Sequence, residues 1–290
     1  MLFRSPWPGA SNVKFPLVTI AALQYHARSY PVLINGETPV LCRTYGPDPE
    51  GKKEARALRV SNHMSYQILE EDENWEEEMD RVLITQPIVG CAFKKVYRDP
   101  ILKHNISEYI LAKDLVVNYW TKNIDTAPRV THVQYFSKND IYERVARGLF
   151  LETDTRLATV SPQDNLTIAK NKAQGIEAPV SVDDSTPFEI LEQHRYLDLD
   201  GDGYAEPYIV WVRRDNRKVL RIVARFFSNS IERKDKKVLS IKAEGYFVKF
   251  PFIPSPDGGY YDLGFGVLLG PLNQSIDTIL DQLIDAGTMA

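Results

Sequence analysis

Asp198, Asp200, Asp202 and Glu206 are the residues of this chain whose types and spacing best suit chemistry, and that chemistry is the binding of a hard cation. They stand in Leu197-Asp-Leu-Asp-Gly-Asp-Gly-Tyr-Ala-Glu206, where carboxylates alternate along the chain and two glycines interrupt them. Alternate side chains of an extended segment share one face. Gly201 and Gly203 then let the chain curl until the oxygens converge, as an ion such as Ca2+ requires. The spacing follows the first half of an EF-hand loop, with Gly203 at the sharp turn, the Tyr204 carbonyl next, and Glu206 where a ligand often acts through water. The second half is missing, because Ile209 stands where the bidentate Glu would be. Two readings stay open. One is a structural Ca2+ site made by Asp198, Asp200, Asp202 and Glu206; the other is a polar turn whose Asp and Gly residues satisfy their geometry through local hydrogen bonds. Clustered carboxylates repel one another unless a cation offsets them or solvent screens them.

The segments flanking this loop read as strands, where an EF-hand would have helices. Tyr196 leads in and Tyr208–Val212 leads out, Asp215-Asn216 turns, and Leu220, Ile222, Ala224 and Phe226 alternate, which together predict a β-meander. Tyr246–Phe252 is a further apolar run. The last predicted element is a helix that starts at Gly270-Pro271, with Leu272, Ile276, Ile279, Leu280 and Leu283 as its apolar face. Nearer the amino terminus, helical spacing covers Pro16–Ser29, then Ala57, Val60, Met64 and Ile68, then Trp75, Met79, Val82 and Leu83, the last ending before Pro87. Cys91–Tyr97 and Tyr109–Tyr119 read as two strands, and Ser137-Lys-Asn-Asp140 is a capping-box pattern opening a short helix through Ile141, Val145 and Leu149. The expected class is α+β, mixed helices with an antiparallel β-meander, in three stretches: an α+β region over 1–153, a polar excursion over 154–187, and the meander with its terminal helix over 188–290. A packed-looking helix at the end also gives the expectation that more protein follows it.

Composition narrows the functional classes. The 290 residues carry a net charge of −4, so the chain lacks the basic excess with which proteins grip nucleic acid through its phosphates. No apolar run is long enough to span a bilayer and no signal-peptide core opens the chain, giving the expectation of a protein made and kept in a cytosol. Cys42 and Cys91 are too few and too separated for a disulfide framework, and Cys91 reads as a small buried hydrophobe. Catalytic signatures are missing: the five histidines form no paired metal spacing, Gly258–Gly266 lacks the order of a phosphate-binding loop, and there is no GxSxG elbow. The expectation is therefore a protein that is not an enzyme. The acidic run over 70–78 reads as a solvated helix face in preference to a cation site. Asp277, Asp281 and Asp285 lie four apart on the last helix as a like-charge stripe, facing solvent or forming a surface that repels a polyanion.

Several segments together resemble a family. Pro6-Trp-Pro-Gly-Ala-Ser-Asn-Val13, Ile88-Val-Gly-Cys-Ala-Phe-Lys-Lys-Val96, the acidic turn Leu197–Val210, and Leu263-Gly-Phe-Gly-Val-Leu-Leu-Gly-Pro-Leu-Asn-Gln-Ser-Ile276 are similar to the N-terminal half of portal proteins of tailed bacteriophages, particularly short-tailed ones. The resemblance spans nearly the whole chain and is strongest in the closing segment. It implies a phage portal-like fold, here a wing-containing fragment that stops short of a full portal. It also implies a homo-oligomeric ring, typically a dodecamer, forming the head-to-tail connector at one capsid vertex. Double-stranded DNA is packaged and ejected through such a ring without sequence-specific binding. The implied partners are the terminase, capsid, scaffold and tail-adaptor proteins, and the implied location is the virion, assembled in the bacterial cytoplasm. Two other classes stay open: a calcium-dependent β-rich binding module, monomeric and complete as it stands, and a metal-dependent hydrolase that uses the carboxylates of the Asp198 loop.

Overall fold

The computed structural model describes residues 10–34, 38–155, 165–173, 175, 186–234 and 237–289. The Pro6–Gly9 part of the opening motif and most of the 154–187 excursion lie outside the described residues. In chain order the elements are α1 (Leu17–Leu33), α2 (Lys52–Tyr66, running on into a π-helical turn Gln67–Glu71), α3 (Trp75–Val89), β1 (Cys91–Arg98), β2 (Asn105–Ile110), β3 (Leu115–Val117), β4 (Arg129–Phe136), α4 (Lys138–Ala146), α5 (Asn165–Ala173), β5 (Phe188–Leu197), β6 (Glu206–Arg213), β7 (Val219–Ala224), β8 (Ile231–Lys234), β9 (Lys237–Ile241), β10 (Phe247–Pro251) and α6 (Phe265–Met289). The class is α+β with antiparallel sheets, as the sequence predicts.

The chain forms two units, Met1–Ala112 with Tyr246–Ala290, and Lys113–Gly245. The expected stretches meeting at 153 and 188 follow chain order, whereas strand pairing joins residues across those positions. β4 pairs with β5 over its whole length, from Arg129↔Arg195 to Phe136↔Phe188, so the excursion leaves and returns to one sheet. Meanwhile β10, expected to continue the meander, pairs with β1. The strand-like run Tyr109–Tyr119 is likewise divided, its first part ending β2 and its later part forming β3.

In the first unit β1 is the centre of a three-stranded sheet, β10-β1-β2, and its first five residues are buried because partners flank it on both sides. Val82 and Leu83 of α3 join Phe93 and Ile110 in the core, at 0–1% exposure. The α3 helix runs through Pro87, where the sequence places its end, and stops at Gly90, whose left-handed backbone (φ +104°) closes it with an N–H bond to Gln86 O at 2.8 Å. Backbone comes very near there: a Cβ on Gly90 would lie 2.1 Å from Asp262 O, and one on Gly264 2.4 Å from Ile88 O. The glycines at 90 and 264 let the end of α3 and the entry to α6 meet main chain to main chain. The α6 helix accordingly starts at Phe265, with Pro271 inside it, and not at Gly270-Pro271 as expected.

The second unit is a five-stranded antiparallel meander, β3-β4-β5-β6-β7, with the β8–β9 hairpin beside it in sequence. Its core gathers Ile141, Phe150, Phe188, Ile190 and Leu220. The α4 helix enters this core through the predicted capping box: Ser137 Oγ accepts the Asp140 N–H at 3.2 Å, and Asp140 Oδ2 accepts the Ser137 N–H at 2.9 Å. The helix ends at Ala146, so Leu149 lies beyond it.

Candidate functional site

The acidic loop spans residues 198–205, closed at its base by the last β5–β6 pair, Leu197↔Glu206. Gly201 (φ +75°) and Gly203 (φ +89°) take left-handed conformations, which turn the extended segment back on itself. The aspartates hold the turn. Asp198 Oδ1 accepts the Gly201 N–H at 2.7 Å and its Oδ2 the Gly203 N–H at 3.0 Å, while Asp202 Oδ1 accepts the Tyr204 N–H at 2.8 Å. Beyond the turn, Tyr204 OH accepts the Ile241 N–H at 3.0 Å and ties the loop to β9. One ligand oxygen from each of Asp198, Asp200 and Asp202 lies within 4.8 Å of the other two, and all three residues are exposed. These are hard oxygen donors at a spacing one cation can bridge. Glu206, the fourth expected ligand, is not in this cluster; its carboxylate accepts the Tyr208 hydroxyl at 3.2 Å. Partial burial, with the negative charges of Glu206 and Asp200 near, raises the Tyr208 phenol above its ordinary range.

Both readings of the loop keep a physical basis, since the turn hydrogen bonds are made and the donor atoms are gathered. Two of the five histidines are held in side-chain pairs. His194 Nε2 meets Glu192 Oε1 at 2.8 Å in the sheet interior, two residues apart on one face of β5, and His26 Nε2 meets Asp80 Oδ1 at 2.5 Å between α1 and α3. Among the described residues, no other group of three or more His, Cys, Asp or Glu side chains is placed to hold a metal.

Two acidic stretches differ from their sequence readings. In the run over 70–78, Glu70, Glu73, Glu76 and Glu77 are exposed as expected, but Asp72 Oδ2 accepts the Ser107 N–H at 3.0 Å and Glu78 accepts the Tyr109 N–H, so these two carboxylates cap the outer edge of β2. The stripe of Asp277, Asp281 and Asp285 does not face solvent as a polyanion-repelling surface either. Its carboxylates accept main-chain N–H groups of the segment before α1, and Asp277 is only 7% exposed. Part of the expected apolar face of α6 is left open: Leu272, Ile279 and Leu283 are 54%, 62% and 69% exposed, while Ile276 and Leu280 are half-buried. Helical spacing revealed both stripes, but which one is covered depends on a segment some 260 residues away in sequence.

No protein-family model matches this chain, and no curated protein matches its sequence.

Proposed function

We propose that this chain is a structural subunit of a portal-type ring, a closed homo-oligomer through which double-stranded DNA passes, with no catalytic machinery of its own. The observation that carries the reading is α6, which turns its polar stripe inward and leaves Leu272, Ile279 and Leu283 in solvent. An apolar stripe of this kind on a polar-rimmed surface marks an association face. The proposed occupant is a different face of a second copy, because head-to-tail contacts of this kind close into rings when their rotation closes. The net charge of −4 supports the same reading, since a channel that lets DNA slide must avoid a basic stripe that would hold it. The resemblance of the acidic turn and of Leu263–Ile276 to portal proteins supplies the ring, its dodecameric form, its location in the virion, and the terminase, capsid, scaffold and tail-adaptor partners. The experiment is assembly of a variant carrying Ile279→Glu and Leu283→Glu, two charges on the open stripe. Loss of the oligomer with an unchanged circular-dichroism spectrum supports the reading, and an oligomer of unchanged mass overturns it.

The convergence of Asp198, Asp200 and Asp202 favours a second reading, a calcium-dependent β-rich binding module. There the loop holds Ca2+ and the chain acts as a monomer. A structural Ca2+ in this loop is compatible with either reading, so oligomeric mass separates them.

A further inference from the structure

Four side chains of α6 accept main-chain N–H groups from the segment leading into α1 and from the first residue of α1, rung by rung. Asn273 Oδ1 takes Leu17 N–H at 3.0 Å, Asp277 Oδ1 takes Phe15 at 2.8 Å, Asp281 Oδ1 takes Val13 at 2.7 Å, and Asp285 Oδ1 takes Ser11 at 2.8 Å. Every second amide is used. The residues skipped are Asn12, Lys14 and Pro16, and proline has no N–H to offer. In extended chain, alternate N–H groups point to the same side, and at the last rung the path bends at Pro16 (φ −84°, ψ +50°), where the Leu17 N–H also meets Phe15 O at 3.0 Å.

The two periods match closely enough for the ladder to continue. Four helical residues climb about 6 Å and turn about 40° past a full revolution. Two extended residues advance about 6.7 Å, enough to follow that climb along a slightly winding path. The contact is mostly with main chain: the side chains of Asn12, Val13, Lys14, Phe15 and Pro16 are exposed, although Lys14 Nζ also stands 3.7 Å from Asp277 Oδ2. Ser11 Oγ adds a bond to Asp281 O at 2.8 Å. Asn273 makes its rung without a charge, so what the rungs share is a side-chain oxygen acceptor at every fourth helical position.

We propose that this face of α6 is a binding site for extended polypeptide main chain, reading alternate N–H groups in preference to side chains, and that its occupant is the chain's own segment 11–17, held as a clasp. The proposal is independent of the ring reading, which uses the exposed Leu272, Ile279 and Leu283 stripe. A clasp of this kind also explains how three carboxylates stack four apart without a net penalty, since each meets a donor.

The test uses the full chain and two neighbouring proline substitutions. Val13→Pro removes a rung donor, whereas Asn12→Pro removes an amide that the ladder does not use, and both keep the preceding residue extended. Amide hydrogen exchange followed by NMR should show Ser11, Val13, Phe15 and Leu17 protected at least about tenfold over Asn12 and Lys14 in the unsubstituted chain. Asn12→Pro should retain that protection at the remaining rungs, and Val13→Pro should lower it about tenfold at Ser11 and Phe15 while the amides of β1 stay protected. On the helix side, Asp281→Asn should keep the Val13 rung and Asp281→Ala should lose it, a pair that decides the matter if the proline variants fail to fold. Equal protection along 11–15, rung amides exchanging at unprotected rates, or equal effects of the two prolines would overturn the proposal. Protection that falls on dilution would also overturn it, by showing that the occupant is the segment of another copy.

Discussion

Lys94 shows what a single buried charge does to this protein. It is 2% exposed in the central strand β1, with its Nζ 5.8 Å from the centre of the Trp75 ring and no hydrogen-bond partner among the described residues. Burial lowers its pKa to about 8 from 10.5, against the opposing pull of Glu78 and Asp72. The folded protein therefore gives up this proton before the unfolded chain does. Between pH 8 and 10.5 the unfolded state binds more protons, so the Lys94 contribution to stability rises with pH across that window and is flat below it. Urea unfolding of wild type and of Lys94→Met, at pH about 7 and about 10.5, should show the wild type gaining about 3 kcal/mol relative to the variant. An equal pH slope in both would show that the ammonium is not buried. The acidic loop was legible where Lys94 was not. Asp198, Asp200, Asp202 and the two glycines are neighbours in sequence, while the burial of Lys94 requires Trp75, Asp72 and Glu78 to come from elsewhere. With Ca2+ bound, the loop should stabilise the fold by about 2.7 kcal/mol at a hundredfold excess over the dissociation constant. Melting curves with Ca2+ and with chelator should differ, and Asp200→Ala should remove the difference. Superimposable curves for the unsubstituted chain would leave the loop a turn held by its own N–H bonds.

Among the elements, those with local signatures were read correctly and those set by distant partners were not. Alternation identified β7, the strand-like flanks of the acidic turn identified β6 and the end of β5, and the Ser137–Asp140 capping box identified the start of α4, because each signal lies within a few residues of the element it fixes. The start of α6 and the end of α3 were misplaced because their boundaries depend on one another through the contacts of Gly90 and Gly264. That contact gives a sharp pair of substitutions. Gly264→Ala places a Cβ 2.4 Å from a backbone oxygen, which neither side can relieve by a rotamer change, and should cost at least about 3 kcal/mol in chemical denaturation. Gly270→Ala, in the same helix with nothing within 4 Å, should gain up to about 1 kcal/mol from helix propensity. Similar effects at the two positions would show that the close approach is absent. The same element also shows the limit of amphipathic reading. The apolar and acidic stripes of α6 were both visible, yet the chain covers the acidic one, because the segment 11–17 offers main-chain donors that match carboxylates.

For the molecule as a whole, the discontinuous first unit had no local signal, since it closes only when β10 returns to β1 after the 133-residue second unit Lys113–Gly245. Composition did set the general limits: a chain of mixed apolar and charged character, net −4, with no basic excess; among the described residues no helix is long and apolar enough to cross a membrane. The functional account rests on the open α6 stripe and on the resemblance to portal proteins, and both bear on how many copies associate. A closed ring limits association to one number of subunits, whereas an open head-to-tail contact gives a ladder of sizes and a binding module gives one. The direct measurement is the native mass of the protein, expressed from its natural reading frame and held at concentrations where capsid components assemble. The account predicts one discrete mass at a fixed multiple of the subunit, near twelve, with annular particles by negative stain. A uniformly monomeric protein under those conditions would contradict it.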